Sequence, residues 1–255
     1  GLTIFADTKP ELLKTLDQRL ENKRRTTIFT TYSEFLFEAL GNKSFLETLN
    51  FSDINISDGI SVIWACNFLQ HPRKYKPNFL EFFHVLYLVV VTGASLVLTP
   101  KKVRATIPEN ITGVDLFWDL LELADKHGLS AFFFGGQGEV PSIVAEKAKS
   151  KLPKLHIAGF SNRLMQDPKL VTEIGEAKPD LLLVAVQPQK QELWIKNNIA
   201  KFPSLSLCIG LGGTFDYVAG KQKRAPRFIS YLGLEWFFRL VTQPWRIKRI
   251  GKGFL

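Results

Sequence analysis

Two short runs, LLLVAV at Leu181–Val186 and LSLCI at Leu205–Ile209, are apolar at almost every position. A strand with one wet face alternates apolar and polar residues; a run this short with no alternation fits a strand covered on both faces. Strands of that kind belong to parallel sheets, which need helical crossovers between neighbours. The rest of the first 220 residues supplies them. Strand patterns are read at Leu2–Phe5, Thr27–Thr31, Ile54–Ile56, Ala131–Phe134 and Leu155–Ala158, besides the two above. Helical patterns are read at Pro10–Lys23, Ser33–Leu49, Gly59–Leu69, Val114–Lys126, Val140–Lys151, Pro168–Glu176 and Lys190–Ile199. The alternation predicts an α/β, Rossmann-like layered domain over residues 1–220 with a mainly parallel sheet.

Such sheets bind ligands beyond the carboxyl ends of their strands. Three strand-to-helix junctions carry the residues for it. ISDGI places Asp58-Gly59 between an alternating run and a long apolar one. The plain explanation is that Ser57 or Asp58 caps a helix; the functional one is a carboxylate set at the mouth of the fold. AFFFGGQGEV ends a strand in Gly135, Gly136 and Gly138, and LCIGLGGTFDYVAG ends another in Gly210, Gly212 and Gly213. Each glycine loop alone is equally well a turn; three on one edge favour a nucleotide or sugar-phosphate pocket. The spacing is not GxGxxG, and there is no Walker A or DxD motif, so dinucleotide, P-loop and metal-diphosphate chemistry have no support. His71, His84, His127 and His156 show no ligand spacing, and no metal site or cofactor is expected. Cys66 and Cys208 sit in separate apolar runs and suit buried thiols rather than a disulfide. No basic-then-apolar leader pattern opens the chain, which suits a cytoplasmic setting.

The net charge of +9 is concentrated. Residues 221–255 hold nine Lys and Arg, one acid and seven aromatics. An anionic membrane, a nucleic acid or a phosphorylated ligand could meet such an appendage. No RNA- or DNA-binding signature accompanies it, so nucleic acid rests on charge alone. NAD or SAM chemistry is permitted by the fold class but not by the glycine spacing. The tail follows a turn read at FDYVAG, and within it helices are predicted to about Tyr231, from Gly233 to Leu240 and after Pro244, with Trp236, Phe237 and Leu240 inward.

Four segments, ISDGISVIWA, ENITGVDLFWDLLELADKHGLSAFFFGG, KPDLLLVAVQPQKQELWI and IGLGGTFDYVAGKQKRAPRFISYLGLEWFFRLVTQPWR, occur in an order and with a wording that resemble the WecG/TagA/CpsF glycosyltransferases, family 26. The resemblance implies a metal-independent, inverting transfer of an N-acetylmannosamine-type sugar from a UDP-sugar donor. The acceptor it implies is N-acetylglucosamine on a polyprenyl diphosphate, in cell-surface polymer synthesis such as wall teichoic acid or exopolysaccharide. The setting it implies is peripheral, on the cytoplasmic face of the cell membrane. It assigns Asp58 as general base, Thr30 beside the sugar and Gln191 as a third catalytic residue. The substrate-binding set it implies is Gly59, Gly135, Gly136, Lys190, Glu192, Gly212, Gly213, Asp216 and Arg224, with Arg239, Arg246 and Arg249 from an appendage closing the site at the membrane. Association of several copies is left open. The chain departs from the family wording at Tyr32 (asparagine in the family's TxNxE), Asn110 (arginine), Phe160–Leu164, Gln187 and Gln189, so a different UDP-sugar is an alternative.

A further departure is an insertion at about 71–106. Its stretch Phe79–Leu98 is interrupted only by Glu81 and His84 and approaches membrane-spanning length. One crossing would put Asp58 and Thr112-Gly113 on opposite sides of a bilayer, so a simple span is rejected. A buried helix, and a helix dipping into the lipid interface between basic flanks (Arg73, Lys74, Lys76; Lys101, Lys102, Arg104), are both compatible with the sequence.

Overall fold

The computed structural model describes residues 1–71, 79–99, 103–226, 229 and 235–242, with backbone alone for 97, 98, 235–237 and 239. The elements run α1 (Lys9–Glu21), β1 (Thr26–Thr31), α2 (Ser33–Gly41), α3 (Lys43–Leu49), β2 (Ile54–Ser57), α4 (Ile60–Leu69), α5 (Phe79–Leu98), α6 (Gly113–Lys126), β3 (Ser130–Gly135), α7 (Val140–Lys151), β4 (His156–Ser161), α8 (Pro168–Ala177), β5 (Leu181–Ala185), α9 (Lys190–Asn198), β6 (Leu207–Gly210), α10 (Thr214–Ala219) and α11 (Glu235–Thr242). All five strand pairings are parallel, in the order β2-β1-β6-β5-β3-β4. The layered α/β architecture expected from the apolar runs is the one observed.

Alternation along each strand divides the core in two. Ile28, Ile56, Phe133, Leu183 and Ile209 face a layer built by α1, α6, α7 and α10. Phe29, Phe132, Phe134, Leu182, Val184 and Cys208 face α2, α3, α8 and α9. Burial on both faces is what an unbroken apolar run requires. Cys208 is buried, Cys66 is half-buried, and both are free thiols.

Three local expectations are corrected. Residues 2–5 form no strand: Phe5 donates one backbone hydrogen bond to Asn55 across the open edge of β2, and nothing extends it into a ladder. The stretch 33–49 is two helices, because Asn42 leaves the helical region (φ −126°) and its side chain caps α3 by accepting from the Phe45 N–H. The FDYVAG segment, read as a turn, winds into α10 and ends on left-handed Gly220.

Gly135 ends β3 at φ +117°, where a Cβ would come 2.3 Å from the Ala185 carbonyl oxygen. Gly136 then donates to that same carbonyl. These two glycines let β3 and β5 converge at the top of the sheet.

The insertion contains one exposed helix. Glu81 and Thr92 are buried on its inner side, which packs on α4, where the Trp64 indole donates to the Thr92 hydroxyl at 2.9 Å. Phe79, Leu80, Phe82, Phe83, Leu86, Tyr87, Val90 and Val91 are exposed on the other side. Among the described residues it is the one helix long and apolar enough to cross a bilayer, yet little of its length is covered. The reading as a buried core helix is thus corrected: the polar residues lie inward and the apolar ones outward, the reverse of a soluble helix. Below it, Val103 and Ile107 return to pack with Ile63 of α4.

Candidate active site

β1 and β2 are registered with Thr31 opposite Ser57, so Tyr32 and Asp58 leave the sheet side by side. The Asp58 N–H donates to the Thr31 carbonyl at 2.9 Å. α4 starts one residue later than a capping aspartate would need: its N-cap is Gly59, at φ +124°, with no side-chain cap bond. The capping explanation for Asp58 therefore fails, and its carboxylate borders a cavity instead. That cavity, open to solvent, is lined by Tyr32, Asp58, Thr112, Val114, Leu211, Gly213, Thr214, Tyr217 and Arg224. It lies over the carboxyl ends of β1, β2 and β6, where α/β sheets bind ligands.

The opposite wall is a charge pair. Thr112 caps α6 by accepting from the Asp115 N–H, and its hydroxyl donates to Asp115 Oδ2 at 2.8 Å. Arg224 grips the same carboxylate bidentately, at 2.6 and 2.7 Å, and reaches Thr112 Oγ1 at 3.3 Å. Burial pushes the Asp115 carboxyl up, but the hydrogen bonds from Arg224 and Thr112 outweigh it and hold the group below its ordinary value. The fork fixes a planar guanidinium at the cavity wall, in the geometry that suits phosphate oxygens.

The other expected residues divide clearly. Gly213 lines the cavity, and Gly59 lies beside it, its N–H donating to Asn110 Oδ1 at 2.7 Å. Gly212, at φ +52°, sits against the Tyr32 hydroxyl. Thr30 is fully buried and donates to the Gly210 carbonyl at 2.9 Å, which ties β1 to β6. Gln191 is fully buried too: its Oε1 accepts from Gly212 N–H at 3.0 Å and its amide donates to Glu192. Both hold the loops that frame the cavity and do not line it. Lys190 is exposed at the start of α9; Gly135 and Gly136 lie two strands from β6, outside the cavity lining. Asp216 accepts from the Gln222 amide in the first turn of α10, beside the lining residues Thr214 and Tyr217. Arg239 falls in α11 with its backbone alone described. Arg246, Arg249 and the expected helix after Pro244 lie outside the described residues, as does the expected helix end at Tyr231.

Sequence reasoning did not single out Tyr32, Thr112, Asp115, Thr214 or Tyr217 as site residues. A signal existed for two of them: Thr112-x-x-Asp115 is the pattern of a helix start. Tyr32 shows its role only in three dimensions. Its ring lines the cavity beside Asp58, and burial first, then the Asp58 charge, pushes the phenol well above its ordinary range. Among the described residues no group of three His, Cys, Asp or Glu is placed to hold a metal ion.

Glu192 supplies a pH test of this framework. Its Oε2 accepts from Gln189 N–H at 2.7 Å, and burial pushes its carboxyl up to about 7 against the opposing hydrogen bonds from Gln191 and Gln189. The unfolded group ionises near 4.5, the folded one near 7. Its favourable contribution is therefore complete below 4.5 and is lost as pH rises through 7. Glu192→Gln keeps an acceptor for Gln189 and removes that titration. The drop in Tm between pH 4.5 and 7.5 should be smaller in the variant than in the parent; equal drops would show that Glu192 does not titrate in this window.

A sheet-top cavity with a carboxylate on one wall and a clamped guanidinium on the other suits transfer of a glycosyl group from a phosphorylated donor. The chain belongs to the Glycosyl transferase WecG/TagA/CpsF family, whose profile matches residues 1–87 and 73–254. The two matched pieces meet at the start of α5, where the insertion lies. The chain is 37% identical over 174 residues to the N-acetylglucosaminyldiphosphoundecaprenol N-acetyl-beta-D-mannosaminyltransferase of Bacillus subtilis (strain 168), covering 67% of this chain and 68% of that protein. It is 30% identical over 208 residues to the protein of the same name from Bacillus spizizenii (strain ATCC 23059 / NRRL B-14472 / W23), covering 81% and 80%.

Proposed function

We propose that this glycosyltransferase moves an N-acetylmannosamine-type sugar from a UDP donor to N-acetylglucosamine on a polyprenyl diphosphate, with inversion, in the synthesis of a cell-surface polymer. The observation that carries it is the placement of Asp58 on the cavity wall, released from helix capping, in a chain whose relatives bear that activity in their names. A sugar hydroxyl is a weak nucleophile. Asp58 accepts its proton as the oxygen bonds to the anomeric carbon and the bond to the diphosphate breaks. The departing electron pair goes to the diphosphate, whose growing charge needs fixed cations. Arg224 is held at the cavity for this, and Arg239, Arg246 and Arg249 are the further candidates from the tail.

The same proposal seats the enzyme on an anionic membrane surface, at the cytoplasmic face, through α5. Twenty residues at about 1.5 Å each give a helix roughly 30 Å long, with its apolar side open. The Gly59–Asn110 hydrogen bond joins the two flanks of the insertion, so α5 lies along the lipid instead of crossing it. Basic residues 73, 74, 76, 101, 102 and 104 flank it in the sequence, a composition that suits anionic headgroups.

The test is a donor screen with a short-chain N-acetylglucosaminyl-diphospho-lipid. UDP-N-acetylmannosamine should yield a disaccharide product and one UDP per transfer, and UDP alone should raise Tm. Transfer from another UDP-hexosamine in its place would correct the donor. No transfer from any UDP-sugar, with no shift by UDP, would overturn the proposal.

A further inference from the structure

Two of the positions at which this chain departs from the family wording, Tyr32 and Asn110, meet at one place in the fold. They flank the Asp58-Gly59 turn from opposite sides. Tyr32 comes from the end of β1, in register beside Asp58. Its phenol lines the same cavity as the Asp58 carboxylate, and its hydroxyl stands against Gly212, where an added methyl would lie 3.0 Å away. A carboxylate has no proton to give, so in a contact between the two the phenol is the donor. Asn110 comes from the segment ahead of α6, and its Oδ1 takes the Gly59 N–H at 2.7 Å. Gly59 itself holds φ +124°, a conformation that neighbouring contacts must select.

We infer that Tyr32 and Asn110 form a positioning pair for the general base: the amide pins the turn that carries Asp58, and the phenol fixes the plane of its carboxylate toward the cavity. This rests on Asp58 being the base. A carboxylate offers about four lone-pair directions. In this inference one is taken by the phenol, and a carboxylate so held does not swing back to cap α4. One consequence follows for the reaction. The acceptor hydroxyl meets a base already oriented, which favours turnover over binding. Neither residue touches the reacting atoms in this scheme; both act through Asp58.

Tyr32→Phe keeps the ring and removes the hydroxyl. In full-length enzyme, kcat should fall about tenfold or more with donor KM changed less than about twofold. Asn110→Ala should lower kcat in the same sense, and the double variant should lose less than the product of the two single losses. The decisive arm uses Asp58→Asn as background: there Tyr32→Phe should change nothing further. UDP-induced Tm shifts in each variant check that the fold and donor site persist. If Asp58→Asn is inactive while Tyr32→Phe keeps parental kcat, the positioning inference is overturned and the base assignment stands. If Asp58→Asn keeps turnover, the base assignment itself falls, and this inference with it. A Tyr32→Phe loss of equal size in both backgrounds would make Tyr32 structural and also overturn the pairing.

Discussion

Asp58→Asn should fold, bind UDP as the parent does, and transfer sugar roughly a hundredfold or more slowly, the usual scale for a lost general base. The substitution is nearly isosteric. The backbone N–H that anchors residue 58 to Thr31 is retained, so the local fold is kept. What changes is the proton acceptor, since an amide cannot take the hydroxyl proton. The contrast with Gln191 sharpens the assay. Gln191→Ala would leave Gly212 N–H and Glu192 without their buried partner, so it should lower Tm before it lowers turnover per folded molecule. A kcat for Asp58→Asn within threefold of the parent would remove Asp58 from the chemistry.

The other large effect should come from α5. Phe83→Gln, Leu86→Gln and Val90→Gln together replace three outward-facing apolar side chains. If that face lies in lipid, each loses about 1.5 kcal/mol or more of apolar burial, together about 4.5 kcal/mol, or roughly a thousandfold in partition to anionic vesicles. The helix should survive, because its inward contacts, Glu81, Thr92 and the Trp64 bond, are untouched. Transfer to a vesicle-borne acceptor should fall with binding, while transfer to a soluble short-chain acceptor should not. Vesicle binding equal to the parent's would refute the membrane seat. A triple variant that turns from dimer to monomer in light scattering, without any change in vesicle binding, would place a second copy on that face instead.

The two halves of the site differ in how far the sequence disclosed them. The sheet was legible, because apolar runs of strand length leave few alternatives. The Asp58-Gly59 junction was legible through the family resemblance only, because a carboxylate between a strand and an apolar helix is just as readily a helix cap. Thr30 and Gln191 were legible as wording but not as geometry: each bears a polar group, and only the packing of β1 on β6 shows that the group is consumed inside. Tyr32 was the opposite case. It read only as a departure from the family wording, whereas the register of β1 and β2 sets it beside Asp58 on the same cavity wall. In α5 the direction of the helix's faces was also encoded. Glu81, Thr92 and Ser95 fall eleven and fourteen residues apart, on one stripe of a 3.6-residue period. Against so apolar a background they read as interruptions.

The central position of β6 governs the order in which this molecule can assemble. Among the described residues it is the last strand, yet it alone joins β2–β1 to β5–β3–β4. Until residues 207–210 arrive, those two groups share no strand ladder, and the Thr30–Gly210 bond spans 180 residues. A contact of that separation is slow to close and late to form. The catalytic cavity, walled by Asp58 from one group and by Leu211 and Gly213 from beyond β6, therefore has no early-folding version. By contrast, α5 lies entirely within the first hundred residues. During vectorial synthesis its apolar side is available before the sheet can close; on the proposed membrane seat, lipid would capture the chain while the enzyme is still inactive, and completion of β6 would switch on transfer where the proposed acceptor resides.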